Sequence, residues 1–227
     1  SRIGPLIRAP GGELETAMKT LEPGESWAVM PRQSGDNPNL WSPGVKWGVT
    51  RGRFTHVTEF FGPLLGVMPF DTLDEAIEIV NETGYGLTSG IHSLDEREIE
   101  KWKAGIRAGN LYINRSTVGA VVLRQPFGGM GKSCFGPGMK AGGPNYLAQF
   151  MKFELRSSMA IEDAGESYEH LWRDEFSLEH DHLKLIGQDN IRRYLPFAVV
   201  RIRVAPADTA CEIEARVAAA RVTGAQV

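Results

Sequence analysis

An α/β fold built on an open, mostly parallel sheet is what this sequence predicts, and three observations predict it. Between residues 64 and 114, short apolar runs alternate with segments whose apolar residues recur at helical spacing. Each helical segment is closed by glycine, Gly84 and Gly86 after the first and Gly109 after the second. The resulting order, strand–helix–strand–helix–strand, calls for right-handed crossovers between strands of an α/β sheet.

Taken in order, Leu14, Ala17, Met18 and Leu21 define the apolar face of a first helix, ended by Pro23-Gly24. Residues 27–30 read as a short strand and 33–39 as a polar loop. Pro43-Gly44 then turns the chain into a strand at 45–49, and 64–70 is a stronger strand candidate. Leu73, Ala76, Ile77 and Val80 line one face of a helix over 71–82, followed by a strand at 88–92. Ser93 or Asp95 caps the next helix, which turns Ile99, Trp102 and Ile106 inward, and 111–114 is the strand beyond it. Residues 126–144 are too rich in glycine for an element interior and predict a structured loop. An apolar, partly alternating stretch at 146–155 predicts a strand. From 157 to 195 acidic and His-containing runs such as Glu179-His180-Asp181-His182 predict a linker with one or two helices. A strand at 197–204 and a helix capped by Asp208, with Ile213, Val217 and Ala220 on one face and Gly224 at its end, begin another βα unit. The expected organisation is therefore a domain at 1–156, a linker at 157–195 and the truncated start of an α/β domain at 196–227.

Composition limits the function classes. With 227 residues, 42% hydrophobic and 23% charged, the chain has the make-up of ordinary soluble proteins. A net charge of −3 gives no electrostatic case for nucleic acid or anionic membrane. Two distant cysteines, Cys134 and Cys211, exclude a disulfide framework or a cysteine-rich zinc site and suit a reducing cytoplasm. No apolar run reaches spanning length, and the first residue, Ser1, reads as the start of a piece of a longer protein.

Three segments carry a resemblance: Glu59-Phe60-Phe61-Gly62-Pro63, Tyr85-Gly86-Leu87-Thr88-Ser89-Gly90, and the run from Gly109-Asn110-Leu111-Tyr112-Ile113-Asn114 to Pro126-Phe127-Gly128-Gly129. In this order they resemble the latter half of the aldehyde dehydrogenase catalytic domain. Gly119-Ala120-Val121-Val122 ahead of Gln125-Pro126-Phe127-Gly128-Gly129, with Lys140-Ala141-Gly142-Gly143-Pro144-Asn145-Tyr146-Leu147, is similar to the 1-pyrroline-5-carboxylate (glutamate-semialdehyde) dehydrogenases, above all those joined to proline dehydrogenase on one chain. The implied fold is the substrate-side half of that catalytic domain plus a partial C-terminal βα extension. Gly187-Gln188-Asp189-Asn190 and Arg193-Tyr194-Leu195-Pro196 resemble that extension. The implied activity is NAD-dependent oxidation of L-glutamate γ-semialdehyde to L-glutamate, with NAD as cofactor, homo-oligomer formation through the strand at 146–155, and a proline dehydrogenase domain on the parent chain.

The resemblance also implies site residues. Glu59 would hold the nicotinamide ribose, since a carboxylate accepts hydrogen bonds from sugar hydroxyls, and Phe61 would pack by the nicotinamide. Read without the family, Glu59 is a solvated acid before a turn and Phe61 a core residue. Gly119 and Ala120 would anchor the α-carboxylate and α-ammonium of the substrate, where close backbone approach requires small residues. Ser116 and Val118 stand where the subfamily more often has Gly and Thr, which alters the shape of this loop. Phe127 would form an apolar wall against the aliphatic middle of the substrate, or simply be a core residue. The glycines of 128–143 contain no phosphate-loop spacing and fit tight packing beneath a site better. Cys134 does not match the motif of the family's nucleophile, which, like the base glutamate and the dinucleotide-binding domain, lies ahead of residue 4 in family order. Cys134 and Cys211 therefore read as small hydrophobes. His180 and His182 lack a third ligand of set spacing, so no metal is expected. Two rivals remain: a non-catalytic folding or oligomerisation module of the same descent, and an aldehyde dehydrogenase with another substrate.

Overall fold

The computed structural model describes residues 3–121, 124–136, 139–154 and 160–227. Two compact units result, one comprising residues 1–118 and 128–138, the other 119–127 and 139–227. The expected boundary at 156–157 lies outside the described residues.

The first unit holds most of the regular structure. Its elements are α1 (Gly12–Lys19), β1 (Ser26–Val29), β2 (Gly44–Trp47), α2 (Phe54–Val57), β3 (Leu64–Val67), α3 (Leu73–Glu82), β4 (Tyr85–Gly86), β5 (Thr88–Ile91), α4 (Glu96–Gly105), β6 (Asn110–Ile113) and β7 (Met130–Gly131). The strands form open sheets: β1 pairs antiparallel with β2, β2 parallel with β3, β4 antiparallel with β7 and β5 parallel with β6. The α/β class and the open sheets stand. Among the described residues the longer ladders, β2–β3 and β5–β6, are parallel, and β3 pairs with β2 whereas β5 pairs with β6, so these strands fall in separate sheets. Alternation in sequence specifies that strands follow helices; it does not specify which strand supplies the neighbouring hydrogen bonds.

The β5–α4–β6 crossover is built as its sequence requires. Asp95, not Ser93, caps α4 by accepting from the Arg97 amide at 2.9 Å, while the Ser93 hydroxyl accepts from the Asp95 amide at 3.0 Å. Thr72 caps α3 by accepting from the Glu75 amide. The inward faces of the two helices meet: Ile77, Trp102 and Ile106 form a core cluster against Leu73, Ile91 and Leu111. Gly105 sits where a Cβ would come within 3.1 Å of Ile77, so a small residue lets the end of α4 close on α3. Trp102 is only 4% exposed, and truncation of such a residue to Ala costs about 3–5 kcal/mol.

Beneath the β1–β2–β3 sheet lies a buried ion pair. Lys46, on β2, is fully buried and its ammonium contacts the Glu25 carboxylate at 3.0 Å and the Thr55 hydroxyl at 3.0 Å. Glu25 also accepts from the Glu22 amide at 2.9 Å, and Glu22 in turn accepts from the amides of Phe54 and Thr55. Burial alone pushes the Glu25 carboxyl up, but the Glu22 amide, the Thr55 hydroxyl and the Lys46 ammonium together outweigh it and hold it below the usual carboxylate range.

The second unit contains a 3₁₀ turn at Leu147–Phe150, α5 (Ile161–Leu171) running into a π turn at Trp172–Phe176, and α6 (Ala210–Val222). The strand expected at 146–155 is not formed in its described part. Leu147, Phe150, Met151 and Phe153 are all more than half exposed, and an apolar stretch becomes a strand only where a neighbour supplies the ladder bonds. Residues 197–204 shrink from the expected strand to a parallel bridge, in which the Val200 amide donates to Gln226 and the Gln226 amide to Ala198. The cap of α6 is Thr209, which forms a reciprocal capping box with Glu212. Asp208, the expected cap, instead pairs with Arg216 at 2.9 Å. An apolar cleft of about 430 Å³ lies between α5 and α6, lined by Leu171, Trp172, Phe176, Tyr194, Phe197 and Val200 among others. No helix among the described residues is long and apolar enough to cross a membrane.

Removing one partner of the buried pair has a defined outcome. Lys46→Met leaves a buried, uncompensated carboxylate and is expected to cost about 3–5 kcal/mol, with most of the loss recovered by adding Glu25→Leu, as read by urea denaturation. Since the folded-state pKa of Glu25 is depressed, its contribution is fully present above the unfolded carboxylate pKa of about 4.3 and is lost as pH falls through the folded value. The double variant is expected to show a shallower loss of stability on acidification than the parent chain.

Candidate functional site

Residues 58–63 join α2 to β3 and carry the first candidate pair. The segment is fixed at both ends. Glu22 receives the first amides of α2, His56 accepts from the Gly52 amide and contacts the Ile79 carbonyl at 2.9 Å, and the Pro63 carbonyl accepts from the Gly44 amide at 2.8 Å. Phe60 turns inward and packs edge to face on Phe54, with ring centroids 5.3 Å apart. Phe61 turns outward, 84% exposed, on a backbone with φ of 48°, and Glu59 is exposed on the same loop. A Cβ at position 62 would overlap the Leu14 side chain, so Gly62 is what lets this turn lie against α1. The twin phenylalanines thus divide: one anchors the loop, and the other stands in solvent beside a free-standing carboxylate.

The second and third motif segments pack backbone on backbone. A Cβ at Gly86 would overlap the Arg107 carbonyl, and one at Gly109 would overlap the Gly128 carbonyl. The Gly109 amide donates to the Gly86 carbonyl, and the Gly128 amide to the buried Asn110 side chain at 3.1 Å. Lys132 reaches back to the Thr83 carbonyl at 2.9 Å, over the ring of Tyr85. Within the glycine-rich run, Gly129 and Gly131 serve close packing, their Cβ positions overlapping the Ser133 and Gly84 carbonyls, whereas Gly136 and Gly142 have nothing near theirs.

Gly119, Ala120 and Phe127 belong to the second unit, whereas Glu59 and Phe61 belong to the first. Gly119 adopts a φ of 86° with nothing near its Cβ position, and Ala120 is exposed next to it. Phe127 is half-buried and held by a two-way backbone bridge to Ala141, at 2.9 and 3.0 Å. The intervening residues 122–123 lie outside the described part.

Cys134 is half-buried with its thiol on the Gly131 carbonyl, and Cys211 is exposed on α6; both are free. No group of three His, Cys, Asp or Glu residues able to hold a metal occurs among the described residues. His180 and His182 instead stack on each other, ring centroids 5.6 Å apart. Sequence reading missed the side chains gathered around them, Glu175, Asn190 and Arg192; the only signal was the pairing of the His-rich stretch with a polar, Arg-containing stretch ten residues on.

The model of the aldehyde dehydrogenase family matches residues 2–155. The chain belongs to the aldehyde dehydrogenase family. It is 42% identical over 175 residues to the bifunctional protein PutA of Klebsiella aerogenes, covering 74% of this chain and 13% of that protein. The structure of Proline Utilization A from Corynebacterium freiburgense superposes with a TM-score of 0.86 at 39% identity, over 100% of this chain and 25% of that one. The 1-pyrroline-5-carboxylate dehydrogenase from Thermus with bound NAD is 34% identical over 53% of this chain and 23% of its own, with a TM-score of 0.50. The chain thus spans about a quarter or less of the length of these relatives.

The division of labour between the two phenylalanines is open to test. Phe60→Ala, which removes the ring packed on Phe54, is expected to lower stability by about 2–4 kcal/mol. Phe61→Gly is expected to lie within about 1 kcal/mol of the parent, since glycine relieves the positive φ and little packing is lost. Thermal denaturation of the two variants reads the difference directly.

Proposed function

We propose that this chain is the part of a 1-pyrroline-5-carboxylate dehydrogenase that holds the nicotinamide end of NAD and the substrate, L-glutamate γ-semialdehyde, for oxidation to L-glutamate in proline degradation. The observation that carries the reading is the fixed loop at 58–63, which stabilises an exposed acid and an exposed aromatic two residues apart in a member of the aldehyde dehydrogenase family. A group with sugar hydroxyls and a flat ring suits that pair: Glu59 offers only acceptor oxygens, and Phe61 offers an unoccupied face. NAD, when bound, accepts the hydride of the reaction.

The substrate carries a charged amino-acid head, two methylene carbons and an aldehyde. Gly119 and Ala120 suit the head, because their backbone is exposed and nothing beyond Cβ hinders approach to the amides. Phe127 suits the carbons, being half-buried and fixed by Ala141. Within the complete protein a cysteine thiolate attacks the aldehyde and a glutamate activates water. On this reading neither role falls to Cys134 or to any other residue of the chain, so the chain contributes binding and orientation and not the bond-making groups. The longer protein would also carry a proline dehydrogenase domain, as the resemblance to bifunctional PutA suggests. Self-association through residues 146–155 would supply the ladder partner that the described residues 146–154 lack.

Two measurements test this. The 227-residue chain incubated with glutamate semialdehyde and NAD is expected to give no NADH, and turnover would overthrow the division of roles. In a full-length protein carrying this segment, Glu59→Gln is expected to raise KM for NAD by about 10–100-fold, the equivalent of one charge-assisted hydrogen bond. An unchanged KM would remove Glu59 from the cofactor site.

A further inference from the structure

We propose that the polar cleft bounded by residues 124–126, 142–144 and 180–192 is a binding site for a small oxyanion, a carboxylate or a phosphate. Arg124, Gln125, His180, His182, Asn190 and Arg192 supply its polar lining, and its volume of about 90 Å³ suits one small anion and excludes a nucleotide.

The loop that shapes the cleft is held rigidly. His180 and Arg192 exchange both backbone hydrogen bonds, at 2.9 and 2.8 Å, closing the loop at its base. The Asp181 carboxylate accepts from the amides of Leu183, Lys184 and Asn190, and these bonds, the Asn190 and Lys184 amides foremost, hold it below the usual carboxylate range. Its oxygens are thereby committed to the backbone. Glu175 engages one end of the Arg192 guanidinium, Nη2 to Oε1 at 2.9 Å, and His182 contacts the same Nη2 at 3.2 Å. Tyr194 lies over the guanidinium at 4.9 Å.

After these bonds are made, three buried N–H groups have no acceptor: Arg192 Nε, Arg192 Nη1 and Asn190 Nδ2. The Arg192 side chain is only 11% exposed, and buried donors are satisfied almost everywhere in folded proteins. All three orphaned groups are donors, and both residues that bear them line one cleft. A cation cannot meet this demand, because a guanidinium and an amide nitrogen offer it no lone pair. A group that only accepts does meet it, and a charged one makes the stronger bonds. Arg124 at the rim adds a second positive charge. The carboxylate of Glu175 opposes an incoming anion, but it is paired with Arg192 at 2.9 Å. The site lies wholly within the second unit and does not depend on the dehydrogenase reading.

Calorimetric titration of the 227-residue chain with sodium phosphate, and separately with sodium acetate, against sodium chloride at matched ionic strength, tests the proposal. Saturable binding of at least one oxyanion is expected, and the comparison of phosphate with acetate tells which source of the shared chemistry the cleft prefers. Asn190→Asp keeps the oxygen that accepts from Gln188 at 2.9 Å but replaces the free donor by a charged acceptor, and is expected to weaken binding at least tenfold. Arg192→Lys keeps the charge, removes the fork, and is expected to do the same. Arg203→Gln, at an exposed position outside the cleft, is expected to leave binding unchanged. Circular dichroism confirms that each variant is folded. Binding no stronger than chloride, binding untouched by Asn190→Asp in the folded variant, or equal weakening by Arg203→Gln would overturn the proposal.

Discussion

A lysine ammonium sealed beneath a three-stranded sheet fixes the geometry of the first unit. Lys46 cannot be left there alone, because a buried charge must be matched and hydrogen-bonded. The matching groups, Glu25 from the loop before β1 and Thr55 from α2, are drawn to it from both sides of the sheet sequence. Glu22, in the same turn as Glu25, then receives the amides at the start of α2. One charge thus ties three separate segments together, and the loop that displays Glu59 and Phe61 begins where this network ends. The loop at 58–63 is supported electrostatically on one side and, through Phe60 on Phe54, by an aromatic contact on the other.

The second constraint is close backbone approach. Gly86, Gly109 and Gly129 sit where backbone meets backbone with no room for a side chain, and the β4–β7 pairing and the Asn110 bond to the Gly128 amide complete the arrangement. The family's glycine-rich motif is therefore structural here, a place where three stretches distant in sequence stack. The second unit is organised by different means. Its helices α5 and α6 flank an apolar cleft, and its polar loop at 180–192 is held by one aspartate and by a pair of exchanged backbone bonds.

Helices were largely legible in the sequence, their caps less so. Apolar spacing located α1, α3, α4 and α6 because a helix in a small unit must hide one stripe, and the stripe is written locally. Strands were less so. The runs at 146–155 and 197–204 have the composition of strands, yet the first gives a 3₁₀ turn and exposed residues and the second a lone bridge. A strand needs a partner, and composition does not name one. The candidate residues Glu59, Phe61, Gly119, Ala120 and Phe127 were picked out by motif. Which of the twin phenylalanines faces solvent, and that Gly119 has a positive φ, is set by the fold around them.

By itself, the sequence determined family membership, the order of helices and strands in the α/β segment, the glycines at crossing points and the identity of the candidate binding residues. These are written in motif and periodicity, which act over a few residues. Tertiary structure alone decided that Lys46 is buried on Glu25, that Asp95 and not Ser93 caps α4, that β3 and β5 join different sheets, and that Asn190 and Arg192 keep donors without acceptors. Each of these depends on groups from distant stretches meeting at hydrogen-bond range. Burial then turns a residue that would be unremarkable in water into one whose charge or hydrogen must be answered.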